Sequence, residues 1–154
     1  MAKRMSKRQF LDSFRHVPRV AVNLLITGKR GEFLLTKRAI SPRKGTWHLP
    51  GSFLMKKESL KECILRVAKE ELGIEIEKES VKLLGVYEDI DKDPRGHVID
   101  LVYSYKVGRK VDFELGKGTK EVKFFAKIPG KIGFTHGEVL RELGYEYTYL
   151  KVKL

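Results

Sequence analysis

The chain has 154 residues, about the length of one domain, and a domain of this size buries roughly 68–70% of the surface that its unfolded chain exposes. Hydrophobic residues make up 42% of the sequence and aromatic residues 10%, which argues against intrinsic disorder. No apolar run approaches the roughly 18 residues of a membrane span, and no apolar stretch with a cleavage site follows the basic first residues. Neither an integral membrane protein nor a secretory signal is therefore expected.

The sequence is strongly basic, because 32 lysines and arginines stand against 20 acidic residues and give a formal net charge of +12. A cation of this size attracts polyanions such as nucleotides, RNA or acidic membranes. Cys63 is the only cysteine, which excludes an internal disulfide and a metal site built on paired cysteines. This cysteine usage agrees with a reducing, cytoplasmic location.

The first part of the chain predicts a helix followed by a β-hairpin. Apolar residues from Met5 to Phe14 have an irregular helical spacing, and Pro18 does not allow the helix to continue. Two runs of alternating apolar residues follow, separated by a turn that contains glycine. In chain order we expect a helix at 5–14, strands at 19–26 and 32–37 around a turn at 27–31, a loop at 39–46 and a short strand at 53–55.

The most clearly specified helix begins after Ser59. Ser59 and Glu62 form a capping box, in which both side chains bind free N–H groups at a helix N-terminus. Gly73 marks the end of the helix, because the residue there adopts a left-handed conformation that suits glycine. Apolar residues recur every three or four positions and form one face, made of Leu60, Cys63, Ile64, Val67 and Ala68.

The second half of the chain predicts more strands and one further helix. A second capping box at 135–138 indicates a helix that continues to about Leu143. The remaining expected elements are strands at 81–87, 97–107 and 121–128, a turn at 91–96 and a terminal strand at 145–154. Strands and helices in this order predict an α+β domain, in which helices pack against a mixed sheet.

Acidic residues near the end of the first capped helix predict a metal site. Glu70 and Glu71 are about 100° apart around the helix, and Arg66 lies four residues before Glu70, where a guanidinium can hold a carboxylate. Glu58 precedes the helix, and Gly51 is placed to bring a backbone carbonyl to the same region. Such oxygen ligands suit Mg²⁺ or Mn²⁺. The alternative is a solvated acidic face with one ion pair.

The wider spacing of these residues resembles the Nudix box, whose fixed positions are a glycine, a glutamate, an Arg-Glu pair, a Glu-Glu pair and a final glycine. The positions that keep the intervals of that pattern are Ser52, Glu58, Arg66, Glu70, Glu71 and Gly73. The segment 31–38 is similar to the second strand of the family, and the resemblance extends over about 20–125. It implies the Nudix fold, an α/β/α sandwich around a mixed sheet, as one domain over 1–154 with a helical extension at 1–17.

The resemblance also implies a role for each matching residue. Glu70, Glu71 and the carbonyl of Gly51 would bind Mg²⁺ or Mn²⁺, while Arg66 would orient the acidic cluster and Glu58 would support Arg66. The implied reaction is hydrolysis of a nucleoside diphosphate linked to another group. In such a reaction the cation neutralises the charge of the diphosphate and lowers the pKa of bound water.

Two positions depart from the family pattern. Ser52 replaces the first glycine, and Val67 replaces the glutamate after Arg66 that binds metal or acts near the base in the family. The second change removes one carboxylate from the acidic face. Glu121 lies in a region where Nudix proteins often have a further acidic residue, so it is a candidate metal ligand, and an ordinary charge at a strand edge explains it equally well.

One branch of the family, the GDP-mannose mannosyl hydrolases, also lacks that glutamate and cleaves at the sugar carbon. The chain is similar to this branch at residues 10–18 and 42–47, and Arg38 would there neutralise the departing diphosphate. However, Asn23 replaces an aspartate of that branch, and the loop near Thr119 has no histidine to serve as its base. The glycosyl mechanism therefore lacks two of its expected groups.

A different branch, the ADP-ribose pyrophosphatases, has segments similar to residues 93–97. In that branch the turn lies near the substrate, which makes Arg95 a candidate phosphate contact. Together with Arg38 and Ser52, Arg95 completes the set of expected substrate contacts. A turn that contains proline and glycine is the alternative explanation of the segment.

The sequence therefore predicts a Mg²⁺-dependent Nudix hydrolase of a nucleotide sugar that resembles GDP-mannose or ADP-ribose, with Arg38, Glu58 and Arg66 as catalytic residues. The alternative is a domain that has lost hydrolysis and binds a nucleotide or RNA, which Val67 and the net charge of +12 favour. A small nucleotide is preferred to RNA as the partner, and no membrane is expected. Because Nudix proteins often dimerise, a homodimer is left open.

Overall fold

A computed structural model describes residues 3–108 and 110–148 of the chain. Most elements fall where the sequence predicts them, and the strand Trp47–His48 and a short 3₁₀ turn at Lys78–Ser80 are additions. The helices and strands are α1 (Lys7–Ser13), β1 (Arg19–Thr27), β2 (Phe33–Arg38), β3 (Trp47–His48), β4 (Gly51–Phe53), α2 (Leu60–Leu72), β5 (Lys82–Asp89), β6 (Val98–Lys106), β7 (Thr119–Phe125) and α3 (His136–Glu142).

The strands form one mixed sheet of seven strands in the order β3-β2-β1-β6-β5, with β4 paired to β1 and β7 paired to β2. The central strands β1 and β6 run parallel, from the pair Arg19 and Val98 to the pair Thr27 and Lys106, whereas the other neighbours are antiparallel. The predicted α+β class with a mixed sheet is therefore confirmed.

A helix covers each face of the sheet, and each helix forms a separate hydrophobic core with the face that it covers. On one face Val22, Leu24 and Ile26 of β1 pack against the apolar side of α2. On the other face Leu25 packs with residues of α3, among them Leu140. The arrangement confirms the expected sandwich of helices around a sheet.

Local sequence explains the position of α2 within this sandwich. The side chain of Ser59 accepts a hydrogen bond from the N–H of Glu62, and the Glu62 carboxylate accepts one from the N–H of Ser59, so the predicted capping box is present. Gly73 ends the helix with φ +66°, a left-handed conformation that glycine adopts without steric cost. These two signals fix where the carboxylates near the end of α2 lie.

The second predicted capping box is wrong. α3 does begin at His136, but the Thr135 hydroxyl caps no N–H group, and its oxygen is buried without a hydrogen-bond partner. Thr135 has φ −94° and ψ 10° instead of the extended conformation of an N-cap residue. The pattern of the box is present in the sequence, but the backbone angle that the box requires is not.

The predicted terminal strand at 145–154 is described only as far as Thr148. Within that part Tyr147 forms a single parallel bridge to Ile128, and no strand is present. Residues 149–154 lie outside the described residues. None of the helices described is long and apolar enough to span a membrane.

The N-terminal helix packs across the end of β4 through an aromatic cluster. Phe10, Phe14 and Phe53 meet edge to face with ring centroids 5.2–5.4 Å apart. The guanidinium of Arg19 lies 5.2–5.4 Å from the same three ring centroids, within range of cation–π attraction. The extension is therefore part of the packed structure beside the candidate site.

Candidate active site

Arg66 joins α2 to β4 and to the loop that precedes the helix. Its Nε donates to Glu58 Oε1 at 2.7 Å, and its two terminal nitrogens donate to Ser52 Oγ and to the Phe53 carbonyl, each at 3.1 Å. Burial alone would raise the pKa of Glu58, but hydrogen bonds from Arg66 and from the Met55 N–H outweigh it and hold this pKa below its ordinary value. Glu58 and Arg66 therefore fix the shape of the site.

Glu70 and Glu71 lie at the last turn of α2 in different environments. Both oxygens of Glu70 accept hydrogen bonds from Arg4 at 2.7 Å, and Arg66 donates to Glu70 at 3.3 Å. Glu71 accepts one hydrogen bond, from the Thr119 hydroxyl at 2.8 Å. Burial raises the pKa of Glu71 above its ordinary value, although this hydrogen bond and the charge of a nearby arginine oppose the rise.

The carbonyl of Gly51 points away from β1. In the β1–β4 ladder the Leu24 N–H donates to the Pro50 carbonyl at 2.8 Å, and hydrogen-bonded pairs alternate with non-hydrogen-bonded pairs in an antiparallel ladder. Asn23 and Gly51 form the next pair, so the backbone groups of Gly51 face the free edge of β4. A Cβ atom at Gly51 would lie 2.0 Å from the Asn23 Oδ1, which explains why a glycine stands there.

Val67 belongs to the hydrophobic core instead of the acidic face. Its side chain is 0% exposed and packs against β1 within the core beneath α2. The position that carries a box glutamate in the family therefore contributes packing in this chain. Over residues 3–108 and 110–148, no group of three or more histidine, cysteine, aspartate or glutamate side chains is gathered in a way that could hold a metal.

Glu121 is not brought to the end of α2. It pairs with Lys37 in the β2–β7 ladder, and directly opposed residues lie on the same face of a sheet. The Lys37 ammonium lies 5.7 Å from the ring centroid of Trp47, which packs with the core on the α3 side. Glu121 therefore lies on the face opposite Glu70 and Glu71, against the expectation that it would join them.

The residues present at the end of α2 fit one divalent cation with a small protein ligand set. Glu70, Glu71 and the Gly51 carbonyl offer oxygen donors, the type that Mg²⁺ and Mn²⁺ prefer. Glu71 is a largely shielded carboxylate with a single hydrogen-bond donor, so a cation would compensate its burial. With Val67 in the core, water and phosphate oxygens would have to supply the other ligands.

A polar cavity of about 160 Å³ lies on the α3 side of β4, and we call it the inner pocket. Arg38 and Arg95 both line it, and the ring centroid of Phe134 lies 5.3 and 5.7 Å from their guanidinium carbons. Burial and the charge of Arg95 lower the pKa of Arg38, whereas Glu71 and Asp93 act in the opposite direction. Arg38 therefore lies within electrostatic reach of both the box carboxylate and the pocket.

Two buried histidines in the inner pocket are neutral. The Leu49 N–H donates to His136 Nδ1 at 2.9 Å, which places the proton of that ring on Nε2. His48 Nδ1 lies 2.7 Å from the Leu49 carbonyl and its Nε2 faces the Thr36 hydroxyl. Burial, followed by nearby positive groups that include Arg38, lowers the pKa of His48 to about 3 and that of His136 to about 4. Among the described residues nothing accepts a hydrogen bond from His136 Nε2.

Asp100 is a carboxylate within the same pocket that is only 4% exposed. The Asn23 amide donates to its Oδ1 at 2.8 Å. Burial raises the pKa of Asp100 to about 6, opposed by this hydrogen bond and assisted by the charges of Asp89 and Asp93. Asp93 is itself held by Arg95, whose side chain donates at 2.8 and 3.0 Å, so Asp100 is the carboxylate with spare hydrogen-bonding capacity.

The residues expected from the sequence to contact the substrate, Arg38, Ser52 and Arg95, all line the inner pocket. Arg95 contacts Asp93 instead of standing free. Sequence reasoning missed Asp100 and His136. The signal for Asp100 was a carboxylate inside the apolar strand predicted at 97–107. Burial of a carboxylate costs free energy unless it has hydrogen-bond partners, so an acid in such a strand indicates a special role.

Comparison with known sequences identifies relatives that cover most of the chain. The model of the family described as NUDIX domain matches residues 17–129. Over 145 residues the chain is 37% identical to the ADP-ribose pyrophosphatase of Methanocaldococcus jannaschii, which covers 92% of this chain and 83% of that protein.

Solved structures have the same fold. A MutT NUDIX hydrolase from Burkholderia pseudomallei superposes with a TM-score of 0.73 and 26% identity, over 83% of this chain and 99% of that one. A bifunctional NMN adenylyltransferase/ADP ribose pyrophosphatase from Francisella tularensis, complexed with AMP and a Mn ion, gives a TM-score of 0.69 at 20% identity. The latter match covers 89% of this chain and 46% of that one, and at this identity it supports the fold alone.

Proposed function

Because this chain belongs to the Nudix hydrolase family and acts on nucleoside diphosphate derivatives, we propose that its substrate is a nucleotide sugar, with ADP-ribose as the representative. The observation that carries the proposal is the inner pocket beside Arg38. A carboxylate, an amide and a neutral imidazole N–H converge there, in Asp100, Asn23 and His136. Such groups match the donors and acceptors of sugar hydroxyls.

The size of the inner pocket supports a sugar as its ligand. Its volume of about 160 Å³ lies below the ≈300–1,000 Å³ of pockets that enclose drug-sized ligands. The pocket therefore suits one ring and not a whole nucleotide sugar. The polar groups at its walls favour a hydroxylated ring over an apolar one.

Each residue of the site has a role in the proposed reaction. Arg38 binds the diphosphate beside the inner pocket, because its guanidinium lines that pocket and is within electrostatic reach of the box carboxylate Glu71. Asp100 and His136 hold the sugar, which orients the bond to be broken. Glu58 holds Arg66 in place, and Arg66 keeps the end of β4 against α2 through its hydrogen bond to the Phe53 carbonyl.

Glu70, Glu71 and the Gly51 carbonyl would hold the divalent cation. When bound, Mg²⁺ or Mn²⁺ supplies neutralisation of diphosphate charge and activation of water. The pyrophosphatase relative supports attack at phosphorus, which releases a nucleoside monophosphate and a sugar phosphate. The proposal therefore places cleavage between the two phosphates.

The experiment is incubation with a panel of nucleotide sugars and Mg²⁺, followed by separation of the products. We expect AMP and ribose 5-phosphate from ADP-ribose, and no turnover when EDTA removes the metal. Free sugar with a nucleoside diphosphate would instead demonstrate attack at the sugar carbon and contradict the proposed bond. GDP-mannose in the same panel tests whether the sugar or the base decides the substrate.

A second candidate function is binding without hydrolysis. Val67 favours it, because it replaces the box glutamate and supplies no carboxylate to the site, and so does the net charge of +12. The retained Glu58, Arg66, Glu70 and Glu71 oppose it. Salt-sensitive binding of a nucleotide or of RNA with no product from any member of the panel would support this function instead of the hydrolase.

A further inference from the structure

A second cavity of about 490 Å³ lies where the N-terminal segment crosses β4 and α2. We call it the N-terminal groove. One side is lined by residues 3–5 with Lys7 and Phe10, and the other by 52–56 with Arg66. No acidic side chain lines it, whereas Lys3, Arg4, Lys7, Arg19, Lys56 and Arg66 all do.

Three of the cations that line the groove are already bound to other groups. Arg4 is paired with Glu70, Arg66 with Glu58 and Glu70, and Arg19 is enclosed by aromatic rings. Lys3, Lys7 and Lys56 form no ion pair with any residue that the structure describes. A groove with uncompensated ammonium groups attracts a ligand that carries negative charge.

The groove is apolar as well as basic. Phe10, Phe53, Leu54 and Met55 line it between the lysines, and their side chains are partly exposed. Aromatic and methionine side chains provide contact area for a planar aromatic ring. Anionic and aromatic chemistry together describe a nucleoside monophosphate better than a sugar phosphate.

The groove is continuous with the site described above. Ser52 and Phe53 of β4 line both the groove and the inner pocket, and the Gly51 carbonyl faces the free edge of the same strand. Arg4, on the wall of the groove, reaches Glu70. A diphosphate bound at Glu70, Glu71 and Gly51 therefore has one cavity on each side.

We propose that the N-terminal groove binds the nucleoside monophosphate half of the substrate, while the inner pocket binds the sugar half. This inference rests on the proposed function, since it divides the same nucleotide sugar between two cavities. The volume of about 490 Å³ falls in the range of ≈300–1,000 Å³ typical of ligand sites. Lys7 and Lys56 contact the phosphate, and Phe10, Phe53 and Met55 contact the base.

The test measures the binding of each product separately, by isothermal titration calorimetry with AMP and with ribose 5-phosphate. Lys7→Glu and Lys56→Glu are compared with wild type and with Lys78→Glu, a matched change at an exposed lysine on the 3₁₀ turn. We expect each reversal in the groove to weaken AMP binding about tenfold or more, because a charge-assisted hydrogen bond is replaced by repulsion. Ribose 5-phosphate binding should change less than twofold in both, about as little as Lys78→Glu changes either ligand.

Two results would overturn the division. If the groove variants weaken the binding of AMP and of ribose 5-phosphate equally, the groove is a general anion site. If Lys78→Glu weakens AMP binding as much as Lys7→Glu does, AMP does not bind in the groove. Since neither titration requires turnover, the proposed function fails separately, through the absence of products from ADP-ribose. Phe10→Leu is an independent test, because it should weaken the binding of AMP but not that of ribose 5-phosphate. The thermal midpoint of unfolding of this variant shows whether the helix stays packed.

Discussion

The inner pocket and the N-terminal groove meet at Ser52 and Phe53 but are built by opposite means. The pocket is small and contains buried polar groups fixed by hydrogen bonds, such as Asp100 by Asn23 and His136 by the Leu49 N–H. The groove is three times larger by volume and its charges are exposed lysines on long side chains. A rigid polar pocket selects by geometry, whereas exposed charge attracts by sign alone.

The difference predicts which cavity decides the substrate. A ligand that leaves a buried polar group unpaired loses binding free energy equal to the full desolvation penalty of that group. The pocket should therefore discriminate strongly between sugars. Exposed lysines tolerate many phosphate positions, so the groove should accept several nucleosides. Substitutions that act on one cavity but not on the other test this contrast.

The largest effect is expected between the two cavities, at Glu71. Glu71→Gln removes a charged metal ligand and should lower kcat for ADP-ribose at least about 100-fold, since even changes around metal ligands cost 10–100-fold. Steady-state kinetics with Mg²⁺ measures it, and AMP and ribose 5-phosphate should still bind. Glu121→Gln is the matched comparison, because the structure places Glu121 on the other face of the sheet. Similar losses in both variants would reject this assignment of faces.

The next largest effect concerns Arg38, which lines the inner pocket. Arg38→Ala should lower kcat/KM about 10- to 100-fold. A hydrogen bond between the guanidinium and the charged diphosphate contributes about 1.5–3 kcal/mol, and each tenfold change corresponds to about 1.4 kcal/mol. Arg38→Lys should restore part of the loss, since it retains charge but not the fork of donors. Arg30→Ala, in the exposed turn after β1, serves as control. An Arg38→Ala enzyme as active as that control contradicts the role.

A smaller effect is expected from replacing Asp100, which should raise the stability of the protein at high pH but weaken its binding of the sugar half. Its pKa of about 6 lies above the ordinary 3.8, so ionisation costs the folded state free energy as the pH rises through about 4 to 6. At pH 8 this cost approaches about 3 kcal/mol. Asp100→Asn should therefore be more stable than wild type at pH 8 and equal to it near pH 4, while it binds ribose 5-phosphate about tenfold less tightly.

Chemical denaturation at several pH values tests the first part of that prediction, and calorimetry tests the second. Equal stability of the two proteins at every pH would show that Asp100 is not held in an unfavourable environment. Asp112→Asn provides a comparison in a segment without regular structure. Its unfolding curve should keep the pH dependence of wild type.

The smallest effect concerns salt. Raising the ionic strength from about 0.05 to about 0.5 M shortens the Debye length severalfold and should weaken AMP binding about three- to tenfold, since the groove lysines are exposed. Binding of ribose 5-phosphate should change by about twofold or less, because Asp100 and His136, which hold its sugar, are buried. Titrations of both ligands at several salt concentrations measure the two slopes. Parallel slopes would remove the contrast between the cavities.

Local signals in the sequence predicted much of the fold. The capping box at Ser59 and the glycine at position 73 fix α2, because each specifies a backbone conformation directly. The same pattern failed at Thr135, where the preceding Phe134 has φ +55° and the chain enters α3 by a different path. Side-chain identities alone do not reveal such a backbone angle.

The site was predictable where it is local in sequence and not where it depends on distant strands. Glu58, Arg66, Glu70 and Glu71 lie within one loop and helix, so their spacing was sufficient. Asp100 meets Asn23 only through the β1–β6 ladder, which no pattern indicates. The expectation for Glu121 likewise depended on a strand register, and the register places it on the other face.

The parallel ladder between β1 and β6 has a consequence for how the protein folds. Residue 19 pairs with residue 98, so closing the centre of the sheet requires the ends of a long intervening stretch to meet. Pairing over such a sequence separation slows folding, because the entropy of a large loop is lost before the contacts form. A nascent chain can form the hairpin and the first capped helix early. The hydrogen bond between Asn23 and Asp100 appears only when the ribosome has released β6.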